Sequence, residues 1–151
     1  MNSIMKGVVR WLLLPLKQWL VIAAGALSIL SFAPFNLFWI LPLCLALLFS
    51  QLIGVSTRTA LGRGFCFGLG YFAFGIGWIF VSVYFHSDLP LPVALLITSA
   101  LVAFMALFPA FACYLAVRLD RIGSTSLLWL LLPVCWVLIE WVRSWFLSGF
   151  P

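Results

Sequence analysis

Hydrophobic positions in this chain come in long unbroken stretches rather than in the alternating or 3.6-residue patterns of half-buried elements. Between Lys17 and Arg58 there is no charged residue at all. A helix needs about 20 predominantly apolar residues to cross the hydrocarbon core of a bilayer, so this stretch predicts two crossings. They are separated near Ala33-Pro34-Phe35-Asn36, where the proline turns the chain and starts a new helix. The first is expected over 18–33 and the second over 37–54. A third is expected over 64–84, between Arg63 and Asp88, and a fourth over 91–117, long enough to tilt. Pro92 suits the first turn of the fourth, and Pro109 in its interior removes a backbone hydrogen bond and predicts a kink. The polar turn Gly123-Ser124-Thr125-Ser126 supplies capping residues for a fifth over 127–147. The pattern therefore predicts an all-α, polytopic transmembrane bundle of about five spans in one domain. No internal repeat or low-complexity segment interrupts it.

The charges orient the bundle. Lys6, Arg10 and Lys17 precede the first stretch, Arg58 and Arg63 separate the second from the third, and Arg118 and Arg121 separate the fourth from the fifth. The gaps around Pro34 and around His86–Asp88 hold no Lys or Arg. Cytoplasmic loops are enriched in Lys and Arg, so the amino terminus is expected in the cytoplasm and the carboxyl end on the far side. Trp11 and Trp19 flank the first span as an interfacial belt would, with Lys17 snorkelling. The basic start followed by an apolar run resembles a signal peptide. It lacks a small-residue cleavage site, Ser31-Phe32-Ala33 being poor, and a second apolar run follows at once, so an uncleaved first span is expected.

Composition agrees with this reading. The chain is 66% hydrophobic and 7% charged, with a mean hydropathy of +1.28, whereas soluble domains carry roughly 25% charge. The net charge of +5 forms no basic run or face and does not point to nucleic acid. Cys44, Cys66, Cys113 and Cys135 each lie inside an apolar stretch without metal-site spacing, and are expected to act as small hydrophobes. His86 and Asp88 lack the further ligands a catalytic zinc needs, and no Ser/His/Asp or Cys/His arrangement can be assembled. No phosphate-binding glycine loop follows a strand. Neither a cofactor, a metal nor a catalytic residue is expected within these residues.

Two constellations remain. Gly64, Gly68, Tyr71, Gly75, Trp78 and Ser82 recur at alternating steps of four and three along the third stretch. Small residues on one face let a neighbouring backbone approach closely; the alternative is a groove in which Trp78 and Ser82 line a lipid chain. In the fifth stretch Glu140 and Arg143 share a face, continued by Pro133 and Trp136. They form either a structural ion pair near the outer surface, or a site where Arg143 holds a phosphate or carboxylate and Glu140 orients it.

The third stretch, from Gly64-Phe65-Cys66-Phe67-Gly68 through Gly75-Ile76-Gly77-Trp78 to Ser82, resembles the third-span signature of bacterial apolipoprotein N-acyltransferases. Glu140-Trp141-Val142-Arg143 through Gly149-Phe150-Pro151 resembles that family's next landmark, as do Phe32-Ala33-Pro34-Phe35 and the order Pro133, Trp136, Glu140. The resemblance covers essentially the whole chain. It implies a bacterial inner-membrane transferase that moves an acyl chain from a membrane phospholipid to the amino-terminal lipidated cysteine of a lipoprotein. Catalysis in such enzymes uses a cysteine nucleophile, a glutamate and a lysine in a nitrilase-like periplasmic domain, which also meets the lipoprotein. No position in 1–151 matches those three residues. The resemblance thus implies the membrane part of the enzyme, inactive by itself. The rival readings are a small polytopic transporter or channel subunit, or a non-catalytic partner that only packs against other helices.

Overall fold

The computed structural model describes residues 16–87, 89–123 and 127–146, and these fold into helices joined by short turns. They are α1 (Leu16–Ser31, its last turn Ser28–Ser31 a 3-10 helix), α2 (Ile40–Leu52), α3 (Thr57–Gly75), α4 (Ile79–His86), α5 (Leu91–Asp120) and α6 (Leu128–Trp145). Lys6, Arg10, Trp11, Asp88, the expected capping residues Ser124–Ser126 and the last five positions lie outside the described residues.

Each expected span contains a helix, with informative differences. α2 is 13 residues long, roughly 20 Å at 1.5 Å per residue, which is short against a core of about 30 Å. Its expected opening residues, Leu37–Trp39, belong instead to the connection, with Leu37 N–H donating to Leu30 O and Ile40 N–H to Leu37 O. Before them comes the turn with the cis Ala33–Pro34 peptide and Asn36 at φ 56°, Phe35 and Asn36 both donating backbone N–H bonds to Phe32 O. The third stretch is two helices, not one. It begins at Thr57, capped by the Ser56 hydroxyl accepting from Thr59 N–H, and breaks after Gly75. α4 then leaves at 54° to α3. Gly75 and Gly77 flank the break, and glycine lowers the stability of a helix interior. α5 runs 30 residues, with Pro109 inside it. α6 starts at Leu128, and the Leu127 N–H before it donates to Asp120 Oδ1 at 2.8 Å.

Two helices, α5 and α6, are each long and apolar enough to cross a membrane, and the bent α3–α4 pair makes a third if counted as one span. The distribution of side chains fits lipid surroundings. The buried face of α5 is Ala94, Thr98, Val102, Ala106, Pro109, Ala110 and Cys113, mostly small, while Leu96, Leu107 and Phe111 point outward. Large apolar side chains outside and small ones between helices is the membrane arrangement, because close packing rather than escape from water holds the helices together. Two buried hydroxyls are satisfied within their own helices, Ser28 Oγ donating to Ala24 O at 2.8 Å and Thr98 Oγ1 to Ala94 O at 2.9 Å, whereas Ser31 Oγ in the last turn of α1 has no hydrogen-bond partner among the described residues. The main core gathers Val21, Leu48, Leu52, Phe67, Cys113, Leu132 and Cys135 from α1, α2, α3, α5 and α6. A smaller one joins Phe72 and Ile76 to Val102. The four cysteines are free thiols; Cys66 is half-buried and the others buried.

Candidate functional site

α3 is the axis on which the site is built, and its glycines decide how closely its neighbours come. A Cβ added at Gly64 would lie 2.6 Å from Pro109 O and 2.8 Å from Ala110 Cα, and one at Gly68 would lie 2.7 Å from Ala106 Cα. These two glycines set α3 antiparallel against α5, as the small-residue stripe led one to expect. Gly75, further along the stripe, faces Ile29 of α1. A second glycine contact is absent from the stripe: Gly25 of α1 lies against the backbone of Phe67 and Tyr71, and Gly70 of α3 lies against the backbone of Ile22 and Ala26. α1 and α3 therefore run parallel, backbone on backbone. The single Gly25 in an otherwise Ala- and Leu-rich helix was the available signal, and it has no glycine partner at helical spacing on α1 to draw attention to it.

The stripe does not continue to Trp78 and Ser82. The break after Gly75 leaves Trp78 at the N-cap of α4, 61% exposed, and carries Ser82 onto α4, exposed, its carbonyl within 3.2 Å of His86 Nδ1. The helical spacing that united them with Gly64 and Gly68 assumed one straight helix.

Beside the upper half of α3 stands the polar pair. Arg143 of α6 reaches Glu140 Oε2 with Nη2 at 2.7 Å and with Nε at 2.9 Å, and both side chains are half-buried. The three-residue spacing in α6 makes this geometry available. The Arg143 guanidinium also stands 6.0 Å from the centroid of the Phe72 ring, in the last turns of α3, where a cation meets the negative end of the helix dipole. Phe72 is edge-on to Tyr71 at 5.0 Å, Tyr71 stacks on Phe67 at 6.4 Å and meets Phe32 edge-on at 6.3 Å. Phe67 in turn meets Trp136 of α6 at 5.8 Å. The ion pair is thus the polar end of an aromatic chain crossing from α6 to α3 to the turn after α1. Phe72 was not singled out from sequence, and Phe32 only as part of the Phe32-Ala33-Pro34-Phe35 turn, because their partners depend on how the helices are rotated.

Trp136 also walls a second feature. α2 and α6 stand apart, and between them lies an apolar groove of about 420 Å³ lined by Leu41, Pro42, Leu45, Ala46 and Phe49 on one side and Trp129, Pro133, Trp136 and Val137 on the other. Ligand clefts commonly fall at about 300–1,000 Å³. Two prolines on facing helices contribute to the gap. Pro133, Trp136, Glu140 and Arg143 follow one another along one stripe of α6, so the groove and the ion pair are consecutive stations on the same helix face. Chemically this arrangement can hold an apolar chain next to a charged, hydrogen-bonding end. It offers no activated nucleophile.

The sequence profile described as the apolipoprotein N-acyltransferase N-terminal domain matches residues 24–151. The chain belongs to this family. Relatives named apolipoprotein N-acyltransferase include one from Methylococcus capsulatus, 41% identical over 135 residues, which cover 87% of this chain and 26% of the relative. One from Chromobacterium violaceum is 40% identical over 129 residues, 85% of this chain and 24% of the relative. One from Azotobacter vinelandii is 40% identical over 147 residues, 94% of this chain and 28% of the relative. The chain spans about a quarter of the length of the curated relatives it matches. The family match takes in the glycine contacts of α3, both walls of the groove and the Glu140–Arg143 pair.

Proposed function

We propose that this chain is the membrane part of an apolipoprotein N-acyltransferase of the bacterial inner membrane. In this reading the whole enzyme moves an acyl chain from a membrane phospholipid to the amino-terminal lipidated cysteine of a lipoprotein, and residues 1–151 anchor it and line part of the lipid's access route. The observation that carries the proposal is the family match across residues 24–151, which includes every element of the site. The five-span reading, with the amino terminus cytoplasmic and the His86 turn outside, is supported by the alternation of Arg-bearing and Arg-free gaps and by the alternating directions of the helices. The α2–α6 groove suits an acyl chain because its walls are apolar throughout. The Glu140–Arg143 pair suits the polar end of that lipid, with Arg143 toward a phosphate and Glu140 orienting the guanidinium. Trp78 and Ser82 are then accessory at most, standing at the start of α4 and outside the groove.

Acyl transfer itself calls for an activated nucleophile, a base and donors that steady an oxyanion. The cysteines of this chain are poor nucleophiles. Cys44, Cys113 and Cys135 are buried among apolar side chains, away from any arrangement that would make a thiolate. The chain purified in detergent with phospholipid and a diacylated lipopeptide is therefore expected to yield no triacylated product by mass spectrometry. Turnover is expected once a nitrilase-like domain is supplied as a separate chain or a fusion. Product from this chain alone, abolished by replacing one of its four cysteines, would overturn the proposal.

The bent α3–α4 pair favours a second reading, since discontinuous helices line the sites of transporters. Solute uptake into vesicles holding this chain, lost on straightening the break with Gly75→Ala and Gly77→Ala, would favour that reading over the first.

A further inference from the structure

The end of the bundle opposite the ion pair is built from the start of α3, the end of α5 and the turns beside them. Four arginines lie there, Arg58, Arg63, Arg118 and Arg121, and among the described residues Asp120 is the one carboxylate at this end. Three of the arginines have neutral acceptors. Arg63 is buried and donates through Nη1 to Gln51 O in the last turn of α2. Arg121 donates through Nη2 to Val55 O at 3.0 Å, tying the end of α5 to the turn that leads into α3. Arg118 donates through Nη1 to the Tyr114 hydroxyl at 2.6 Å. Carbonyl and phenol acceptors fix these side chains in place without cancelling their charge. Arg58 projects from the first turn of α3, three positions past Val55, and is exposed, as is Arg118. Even with Asp120 counted, positive charge is in excess here and is held in place.

The surroundings of this patch say what it meets. Ile122 is 75% exposed in the turn after α5, and Ile53 and Leu127 are exposed nearby. An aqueous partner such as a nucleic acid would gain nothing from apolar side chains fringing the arginines. A membrane interface has both components, an acyl boundary for the isoleucines and phosphate oxygens for the guanidinium groups. Guanidinium groups bind phosphate through paired N–H donors and gain from it when held in advance.

We propose that this end of the bundle binds the headgroup of an anionic membrane lipid, through Arg58, Arg118 and Arg121, at the end opposite the ion pair. The bound lipid bridges α3 and α5 and holds the bundle at a fixed depth. The proposal is independent of the acyltransferase reading, since it concerns a lipid that is retained rather than consumed.

The test measures lipid binding to the purified chain in neutral detergent by native mass spectrometry, with phosphatidylglycerol and phosphatidylcholine of the same acyl chains. Phosphatidylglycerol is expected to bind at least tenfold more tightly. Each neutralised exposed arginine is expected to weaken it about fivefold, so R58Q/R118Q should remove most of the preference while R58K/R118K retains it. Thermal melting in the same detergent establishes that both variants are folded. If the double glutamine variant does not fold, raising salt on the parent chain serves instead, with the preference expected to fall steeply between low and molar salt. Equal binding of the two lipids would overturn the proposal. So would a preference that survives R58Q/R118Q or molar salt. Competition by inorganic phosphate as strong as that by the lipid would mark a free-phosphate site and also overturn it.

Discussion

Among the described residues Arg143 joins two groups with one guanidinium, the Glu140 carboxylate on its own helix and the face of Phe72 on α3. Its loss is therefore expected to exceed that of an ordinary surface arginine. Arg143→Ala strands a half-buried carboxylate and removes the contact between α6 and α3. The expected cost is on the order of 1–2 kcal/mol, less than for a fully buried pair. Glu140→Ala is expected to cost less, because Arg143 keeps the ring contact. The double variant should fall near Arg143→Ala rather than at the sum, since the two residues act as one unit. Thermal melting of the three variants in one detergent checks this, and melting curves all matching the parent would make the pair an exposed anchor. The glycines permit a sharper comparison. Gly68→Leu drives a side chain into Ala106 and Pro109, and is expected to cost at least about 2 kcal/mol. Gly62→Leu, on the same helix, meets open space within 4 Å and should leave melting and expression unchanged. Equal behaviour of the two would remove the close-packing account of α3.

At the scale of elements, the sequence was most legible where chemistry varies along a helix and least where it does not. Glu140 and Arg143 could be paired by spacing alone because they are isolated charges in an apolar stretch. That Gly64 and Gly68 meet a neighbouring backbone could be anticipated for the same reason, being small residues among large ones; that the neighbour is α5 could not. The wall that α2 contributes to the groove had no such mark: from Ile40 to Leu52 nearly every residue is apolar, so no face announces itself. The break between α3 and α4 was hidden too, because hydropathy stays high through Gly75-Ile76-Gly77-Trp78 while the backbone turns. The loop arginines were read as orientation signals only. Two of them also fasten elements, Arg63 to the end of α2 and Arg121 to the turn before α3. Arg63→Met keeps the aliphatic stem and removes the charged donor. It is expected to lower stability by roughly 1–2 kcal/mol and to increase proteolytic nicking between α2 and α3. A variant as resistant as the parent would leave the clamp without consequence.

The molecule as a whole alternates in direction: α1, the α3–α4 pair and α6 run one way and α2 and α5 the other, with Arg58, Arg63, Arg118 and Arg121 gathered at one end and Arg143 at the other. Orientation in the bilayer can be checked with impermeant thiol reagents. A cysteine introduced by His86→Cys is expected to react from the periplasmic side, and one introduced by Ser56→Cys only after the membrane is opened, in a background where the native cysteines are replaced. The reverse order of labelling would invert the proposed topology. The glycine seams on either side of α3 carry a further meaning for a protein that works among lipids. Where Gly25 and Gly70 bring α1 onto α3, and where Gly64 and Gly68 bring α5 onto it, main chain touches main chain, and a methylene group has nowhere to pass. Those two seams are sealed partitions. In the proposed reading, a lipid moving sideways out of the bilayer toward the aromatic chain and the ion pair would be turned away there, and the doorway left ajar would be the one between α2 and α6.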